Sequence, residues 1–357
     1  MEIKPLVISD KTADIPIVQG GMGIGISLHK LAGAVAKEGG VGIISAAQIG
    51  FNEPDFDKDP FAANLRAIKK EYDMAREISP EGIIGFNIMV AMNHYEDYVK
   101  EAAECGADII VSGAGLPVDL PAYVKGYDTK IAPIVSSVKA ANIILRYWNR
   151  KYKRTADMVV IEGAYAGGHL GFNFDELENF DEKAYEGEIK NIISLVREYE
   201  DKYNKKIPVV LAGGMTSKED LENAFRLGAD GIQVGTRFVT TKECDADIRY
   251  KEEYVNAKEE DIKIIKSPVG MPGRAIFNKA MQQVKIDGKI PIKSCHQCIK
   301  GCNKSSIPYC ITELLINAAK GDVDNGLIFC GAKCYKQGRI ETVKEVIESF
   351  ISPKVCV

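Results

Sequence analysis

Eight short runs rich in valine and isoleucine, most of them separated by segments of helical period, predict an α/β chain closed as a (β/α)8 TIM barrel with a C-terminal helical, cysteine-rich extension. Two further observations support this class. The links Gly106-Ala107-Asp108 and Gly228-Ala229-Asp230 repeat one helix-to-strand unit, and glycine-rich stretches follow several of the runs.

The runs are Pro16–Gln19, Val41–Ser45, Ile83–Met89, Asp108–Ser112, Lys130–Val135, Asp157–Glu162, Ile207–Ala212 and Gly231–Gly235. Each is apolar on both faces, as in a buried parallel sheet. Helices are expected over Leu28–Glu38, Phe61–Ile78, Tyr95–Glu104, Ala140–Tyr152, Glu186–Tyr203 and Ser217–Leu227. An open doubly wound sheet would more naturally break into a second domain after fewer strands. The barrel is therefore expected over 1–240. The extension, 241–357, is expected to pack on it: a charged helical stretch over 241–294 with a Gly/Pro interruption at Ser267–Arg274, a cysteine-rich piece, and a terminal helix around Glu341–Phe350.

The chain has 357 residues, enough for a large barrel plus an appendage. With 46 basic and 50 acidic side chains, the formal net charge of −4 gives no electrostatic reason to expect nucleic acid or an anionic membrane as partner. The N-terminus lacks a signal-peptide h-region, and no stretch reaches the ~20 apolar residues of a membrane span, so a cytoplasmic location is expected. Cys105 and Cys244 are isolated, whereas seven cysteines fall between Cys295 and Cys356. That asymmetry points to a local feature in a reduced compartment rather than a disulfide scaffold.

In a barrel the loops after the strands form the active face. After the first strand, Gly20-Gly21-Met22-Gly23-Ile24-Gly25 lets backbone approach a flat ligand or simply makes a flexible turn. After the seventh, Gly213-Gly214-Met215-Thr216-Ser217 runs into a helix, and after the eighth come Gly235, Thr236 and Arg237. These two loops are where such barrels hold phosphate; Arg237 could pair with it or face solvent. Asn87 is a polar side chain in an apolar third strand and needs a partner, from backbone or a cofactor. His169 follows Gly167 and Gly168 after the sixth strand, where it could move a proton. His29 and His94 lie near helix starts and read as structural.

Taken together, QGGM at Gln19–Met22, GFNIM at Gly85–Met89, SGAG at Ser112–Gly115, EGxxAGGHxG at Glu162–Gly171, AGG at Ala212–Gly214 and QVGTRF at Gln233–Phe238 resemble the nitronate monooxygenase (2-nitropropane dioxygenase) family, which includes FMN-dependent enoyl-ACP reductases of type II. The resemblance covers roughly 10–285, with an echo in Gly321-Asp322 and Gly326–Gly331. It implies FMN across the barrel mouth, with Asn87 on the flavin, Met22 and Gly23 beside its ring, and Gly21, Glu162, Gly167, Gly168, Gly213, Gly214, Gln233, Val234, Gly235 and Thr236 at the cofactor. It makes His169 the catalytic residue. Glu162 stands where the family's monooxygenases commonly have Gln and its reductases Glu, and Tyr165 departs from both.

The activity so implied is oxidation of alkyl nitronates with O2 to a carbonyl compound and nitrite. The alternative is an NAD(P)H-dependent enoyl-ACP or quinone reductase, with an enoyl thioester or quinone as substrate and an acyl carrier protein as partner. A homodimer fits either. The basic stretch Trp148–Arg154 could receive a carrier, though a solvated helix face is the plainer reading. A non-redox phosphate-binding isomerase or aldolase uses the same loops, but Lys130 lies at the wrong end of its strand for a Schiff base. Cys295-x2-Cys298-x3-Cys302, with Cys310, could hold an iron–sulfur cluster or zinc. The loose spacing, and a family chemistry that needs no metal, put packed, reduced cysteines first.

Overall fold

The computed structural model describes residues 3–352. Eight parallel strands close in sequence order: Ile17–Gln19, Val41–Ser45, Ile83–Asn87, Ile109–Ser112, Lys130–Val135, Val159–Glu162, Val209–Ala212 and Gly231–Val234. Pairing of Ile232 with Ile17 and of Val234 with Gln19 completes the ring. All eight expected strands form, and closure rules out the open sheet.

The strands are apolar on both faces because each face meets a different apolar layer. Val18, Ile43, Val111, Val160 and Val210 fill the barrel interior, and Leu6, Ile8 and Ala13 of an N-terminal hairpin (Leu6–Ile8 with Lys11–Ala13) join that cluster. Ile17, Ile44, Ile84, Ile110 and Ile161 face outward against Leu31, Val35, Ile68, Val99 and Ile144 of the helices.

The Gly-Ala-Asp links do two jobs. Gly106 and Gly228 take φ of 87° and 97°, the left-handed conformation that stops a helix without strain. The aspartates then tie neighbouring strands together. Asp108 accepts from the Ile84 N–H at 2.9 Å and pairs with Arg76 at 2.7 Å. Asp230 accepts from Val209 N–H and pairs with Arg197, both at 2.8 Å. Helix starts follow their caps: Asp59 precedes Pro60, Ser137 caps Val138–Tyr152, and Asp181 starts Glu182–Tyr203 four residues before the apolar pattern suggests.

The extension differs from expectation in one respect. Within 241–294, helices Ile248–Asn256 and Lys279–Asp287 flank a β-hairpin, Ile262–Lys266 with Pro272–Ile276. The Gly/Pro interruption is its turn, where Ser267 N–H donates to Met271 O and Gly270 takes φ of 83°. The second hairpin strand pairs antiparallel with Gly168–His169, through Gly273↔His169 and Arg274↔Gly168. Helices Ile311–Ala319 and Val343–Ile351 follow, the latter capped by Thr342. Tyr250, Tyr254, Ile328, Val346 and Phe350 belong to the same apolar cluster as the barrel helices. No helix among the described residues is long and apolar enough to cross a membrane.

Candidate active site

A cavity of about 270 Å³ opens at the C-terminal ends of the strands. The first loop brings Gly21, Met22 and Gly23 to it; the third strand brings Asn87, and the sixth Glu162 with Gly167, Gly168 and His169. Gly213 and Gly214 follow the seventh strand, and Gln233, Gly235 and Thr236 the eighth. Val234 is the exception among the residues proposed from sequence. Its side chain is fully buried and points to the helical layer, because strand alternation turns it away from its cavity-facing neighbours. Only its carbonyl meets the mouth, accepting from Gly20 N–H at 2.9 Å.

Buried hydrogen bonds fix the first loop. Gln19 accepts from Ile43 N–H at 3.0 Å and donates to Ser27 Oγ at 2.9 Å, while Ser27 Oγ accepts from Met22 N–H at 2.9 Å. A Cβ on Gly21 would lie 2.2 Å from Asn87 Cβ, so glycine is what lets the loop pass under that side chain. Across the cavity, Gly213 and Gly214 take φ of 95° and 77°, so this wall is exposed backbone rather than side chain.

The sixth-strand loop is held by the extension. Buried Arg274 donates to the carbonyls of Ala164, at 2.7 Å, and Ala166. His169 Nε2 lies 2.7 Å from Ser267 Oγ, and Phe329 meets the imidazole edge-on at 5.0 Å. Burial lowers the His169 pKa to about 4, so the ring is neutral at pH 7. Glu162 is pushed the other way. Burial alone raises its carboxyl to about 7, with no cation to offset it. The carboxyl, not the imidazole, is therefore the group that titrates near neutrality.

The expected phosphate end is also rearranged. Asp220 accepts from Thr216 N–H at 2.8 Å and Ser217 N–H at 2.9 Å, so these helix-end donors are occupied. Arg237 pairs with Glu341 at 2.8 Å; it neither lines the main cavity nor faces solvent freely. The cation at this end is Lys333, which lines the cavity and pairs with Asp220 at 2.9 Å. Sequence reasoning missed Lys333, together with Tyr250, Tyr254, Phe329, Cys330 and Gly331, which also line the cavity. The Gly326–Gly331 echo was the one available signal for them.

Other expectations resolve plainly. His29 Nδ1 pairs with Glu71 at 2.6 Å, and His94 stacks on Phe61. The helix Val138–Tyr152 begins at the mouth and runs away from it, so the basic stretch ending at Arg154 lies toward the opposite end of the barrel from this cavity. Lys151 there pairs with Asp119, and Trp148 is fully buried. No three His, Cys, Asp or Glu side chains among the described residues converge to hold a single metal ion. Cys295, Cys298, Cys302 and Cys310 border a separate cavity instead, and Cys356 lies outside the described residues.

A closed (β/α)8 barrel whose mouth is a backbone-walled slot, with an amide at one side and a lysine at one end, has the form of a flavin-dependent oxidoreductase. The glycine floor fits a flat ring, and Lys333 fits a phosphate. The nitronate monooxygenase family model matches residues 5–352, and the chain belongs to that family. It is an oxidoreductase enzyme. It is 26% identical over 313 residues to a probable nitronate monooxygenase of Staphylococcus aureus (strain Newman), covering 78% of this chain and 80% of the relative. It is 28% identical over 305 residues to one of Staphylococcus saprophyticus, covering 77% and 79%. Among solved structures, FabK from Thermotoga maritima aligns with a TM-score of 0.68 at 24% identity, covering 94% of this chain and 91% of that one. A nitroalkane oxidase from Streptomyces ansochromogenes gives 0.68 at 18%, covering 94% of each. These two show the shared fold.

Proposed function

We propose that this protein is an FMN-dependent oxidoreductase that oxidises small alkyl nitronates with O2, releasing a carbonyl compound and nitrite. The observation that carries this reading is the cavity lining: Tyr250, Tyr254, Ile311, Leu315 and Phe329 add an apolar part to a cavity walled by glycines, suited to a small substrate with a short alkyl tail. FMN, when bound, supplies the electron acceptance that no side chain here can. Gly21, Gly23, Gly213, Gly214 and Gly235 would let it lie against backbone, Asn87 would hydrogen-bond it, and Lys333 with Thr236 would face its phosphate. His169, neutral at pH 7, is in the state that accepts the α-proton of a neutral nitroalkane. Ser267 orients the ring for this.

Glu162 favours a second reading, an NAD(P)H-dependent enoyl-ACP or quinone reductase. Its carboxyl is half protonated near pH 7 and can donate a proton to a reduced substrate. That reading brings NAD(P)H as co-substrate and an acyl carrier protein as partner, approaching the mouth directly. The two part in one experiment. Purified FMN-loaded protein is mixed with a propyl nitronate in air while nitrite is followed, and separately with NADH and NADPH without oxygen while flavin absorbance is followed. Nitrite release with a flavin that stays oxidised under nucleotide supports nitronate oxidation. Fast bleaching without nitrite overturns it in favour of the reductase.

A further inference from the structure

A second cavity, of about 280 Å³, adjoins the first. Cys295, Cys298, Cys302 and Cys310 all border it, and Cys298, Ile299 and Ile311 border both cavities. The loop that carries Cys295, Cys298 and Cys302 and the helix start at Cys310 thus form walls of one cavity.

We infer that these four cysteines ligate a four-iron, four-sulfide cluster, held one wall away from the main cavity. The loop 295–302 is built for it. It has no helix or strand, and left-handed turns at Gln297 (φ 48°) and Gly301 (φ 72°) fold it back over the cavity. It is also pinned to the barrel. Asn93 N–H donates to Cys298 O at 3.1 Å, Lys300 N–H donates to Ala91 O at 2.9 Å, and Met92 bridges to Ile299. Three thiolates from one tight loop and a fourth from farther along the chain is the arrangement that cubane clusters take. Cys310 supplies that fourth sulfur at the start of the helix Ile311–Ala319.

The charge of the lining agrees. A thiolate-bound cluster is an anion, and this cavity carries Lys300 and Lys304 but no Asp or Glu among its lining residues. His296 also borders it and is buried, with Nε2 at 3.1 Å from Asp57 and Nδ1 without a partner. That buried nitrogen is left with its polar capacity unused. Size separates the cluster from zinc. Four sulfurs around one zinc each lie ~2.3 Å from it, and no such convergence exists among the described residues. A multinuclear core takes its thiolates around a larger body, and the four cysteines border one cavity of about 280 Å³.

The inference does not depend on the identity of the flavin substrate, and its test is analytical. The full chain is purified without oxygen, reconstituted with ferrous iron and sulfide, and assayed for iron, acid-labile sulfide, zinc and flavin in one sample. About four iron and four sulfide per chain, with a visible charge-transfer band that bleaches under dithionite and an electron paramagnetic resonance signal in the reduced state, are expected. Cys302→Ser and Cys295→Ser, at exposed positions, should lose most of the iron while keeping flavin content and the thermal unfolding of the iron-free parent; Cys105→Ser should keep all of it. Absence of iron and sulfide after reconstitution, zinc alone, or full iron in a Cys295→Ser/Cys302→Ser double variant would overturn the assignment. Because flavin is counted separately, failure here leaves the FMN reading standing, and the reverse.

Discussion

Glu162 and His169 face one cavity with their ordinary acid strengths reversed, the carboxyl near 7 and the imidazole near 4. The cause is the same for both: burial penalises whichever form is charged. Turnover that depends on the ionisation of Glu162 should therefore inflect near pH 7, and Glu162→Gln should remove that inflection from the kcat/KM profile. An unchanged inflection in the variant would clear Glu162 of the role. Stability follows the same shift. Between about 4.5 and 7 the folded protein keeps a proton that the unfolded chain has released, so stability falls as pH rises through that window. Glu162→Gln should unfold later than the parent at pH 8, by up to about 3 kcal/mol for the shift from 4.5 to about 7, and show little difference at pH 4. His169→Ala should slow turnover at least about 100-fold while flavin stays bound, a loss in the usual range for a positioned proton acceptor. Retained turnover would remove His169 from the mechanism. Both positions were legible as sequence, because each ends or follows the sixth strand on the face where such barrels carry chemistry. The reversal was not, since it belongs to the enclosure that residues some hundred positions later provide.

At the scale of elements, the barrel strands were legible because a parallel strand buried on both faces leaves an unbroken apolar run, and the repeated Gly-Ala-Asp unit marks where each turn of the winding closes. The hairpin Ile262–Lys266/Pro272–Ile276 was not. Its first strand, Ile-Lys-Ile-Ile-Lys, is only partly buried, so local composition reads as charged surface, and the hairpin is revealed only by pairing of its second strand with Gly168–His169. That hairpin is what positions the sixth-strand loop. Arg274→Met should leave the carbonyls of Ala164 and Ala166 without their donor, costing on the order of 2–4 kcal/mol, and hydrogen exchange should rise across 163–171. Exchange confined to the hairpin itself would show that the loop holds its shape unaided. Lys333 and the Asp220 carboxylate were hidden for a related reason. The phosphate-loop pattern at Gly213–Ser217 is visible in sequence, but which groups fill the helix end is decided by side-chain contacts 113 residues apart.

For the whole molecule, the 240/241 boundary is one of topology and not of packing. Tyr250, Tyr254, Ile328, Val346 and Phe350 share a core with the barrel helices. A chain ending at Thr240 should therefore expose that apolar face, bind a hydrophobic dye and fail to retain flavin. A soluble, cooperatively unfolding 1–240 fragment that holds flavin as the full chain does would contradict this picture. The central claim is that the glycine-walled cavity holds FMN. Gly235 offers the cleanest test, because its φ is not left-handed and an added Cβ would meet only Met22 Sδ, at 3.4 Å. The fold should accept Gly235→Leu while the side chain takes up cofactor space. Equilibrium titration of FMN, followed by flavin fluorescence, is predicted to show one FMN per chain for the parent and affinity at least about tenfold weaker, or 1.4 kcal/mol, for the variant, with thermal unfolding of the flavin-free proteins alike. A parent that leaves FMN free in solution, or a variant that binds it equally well, would contradict the account.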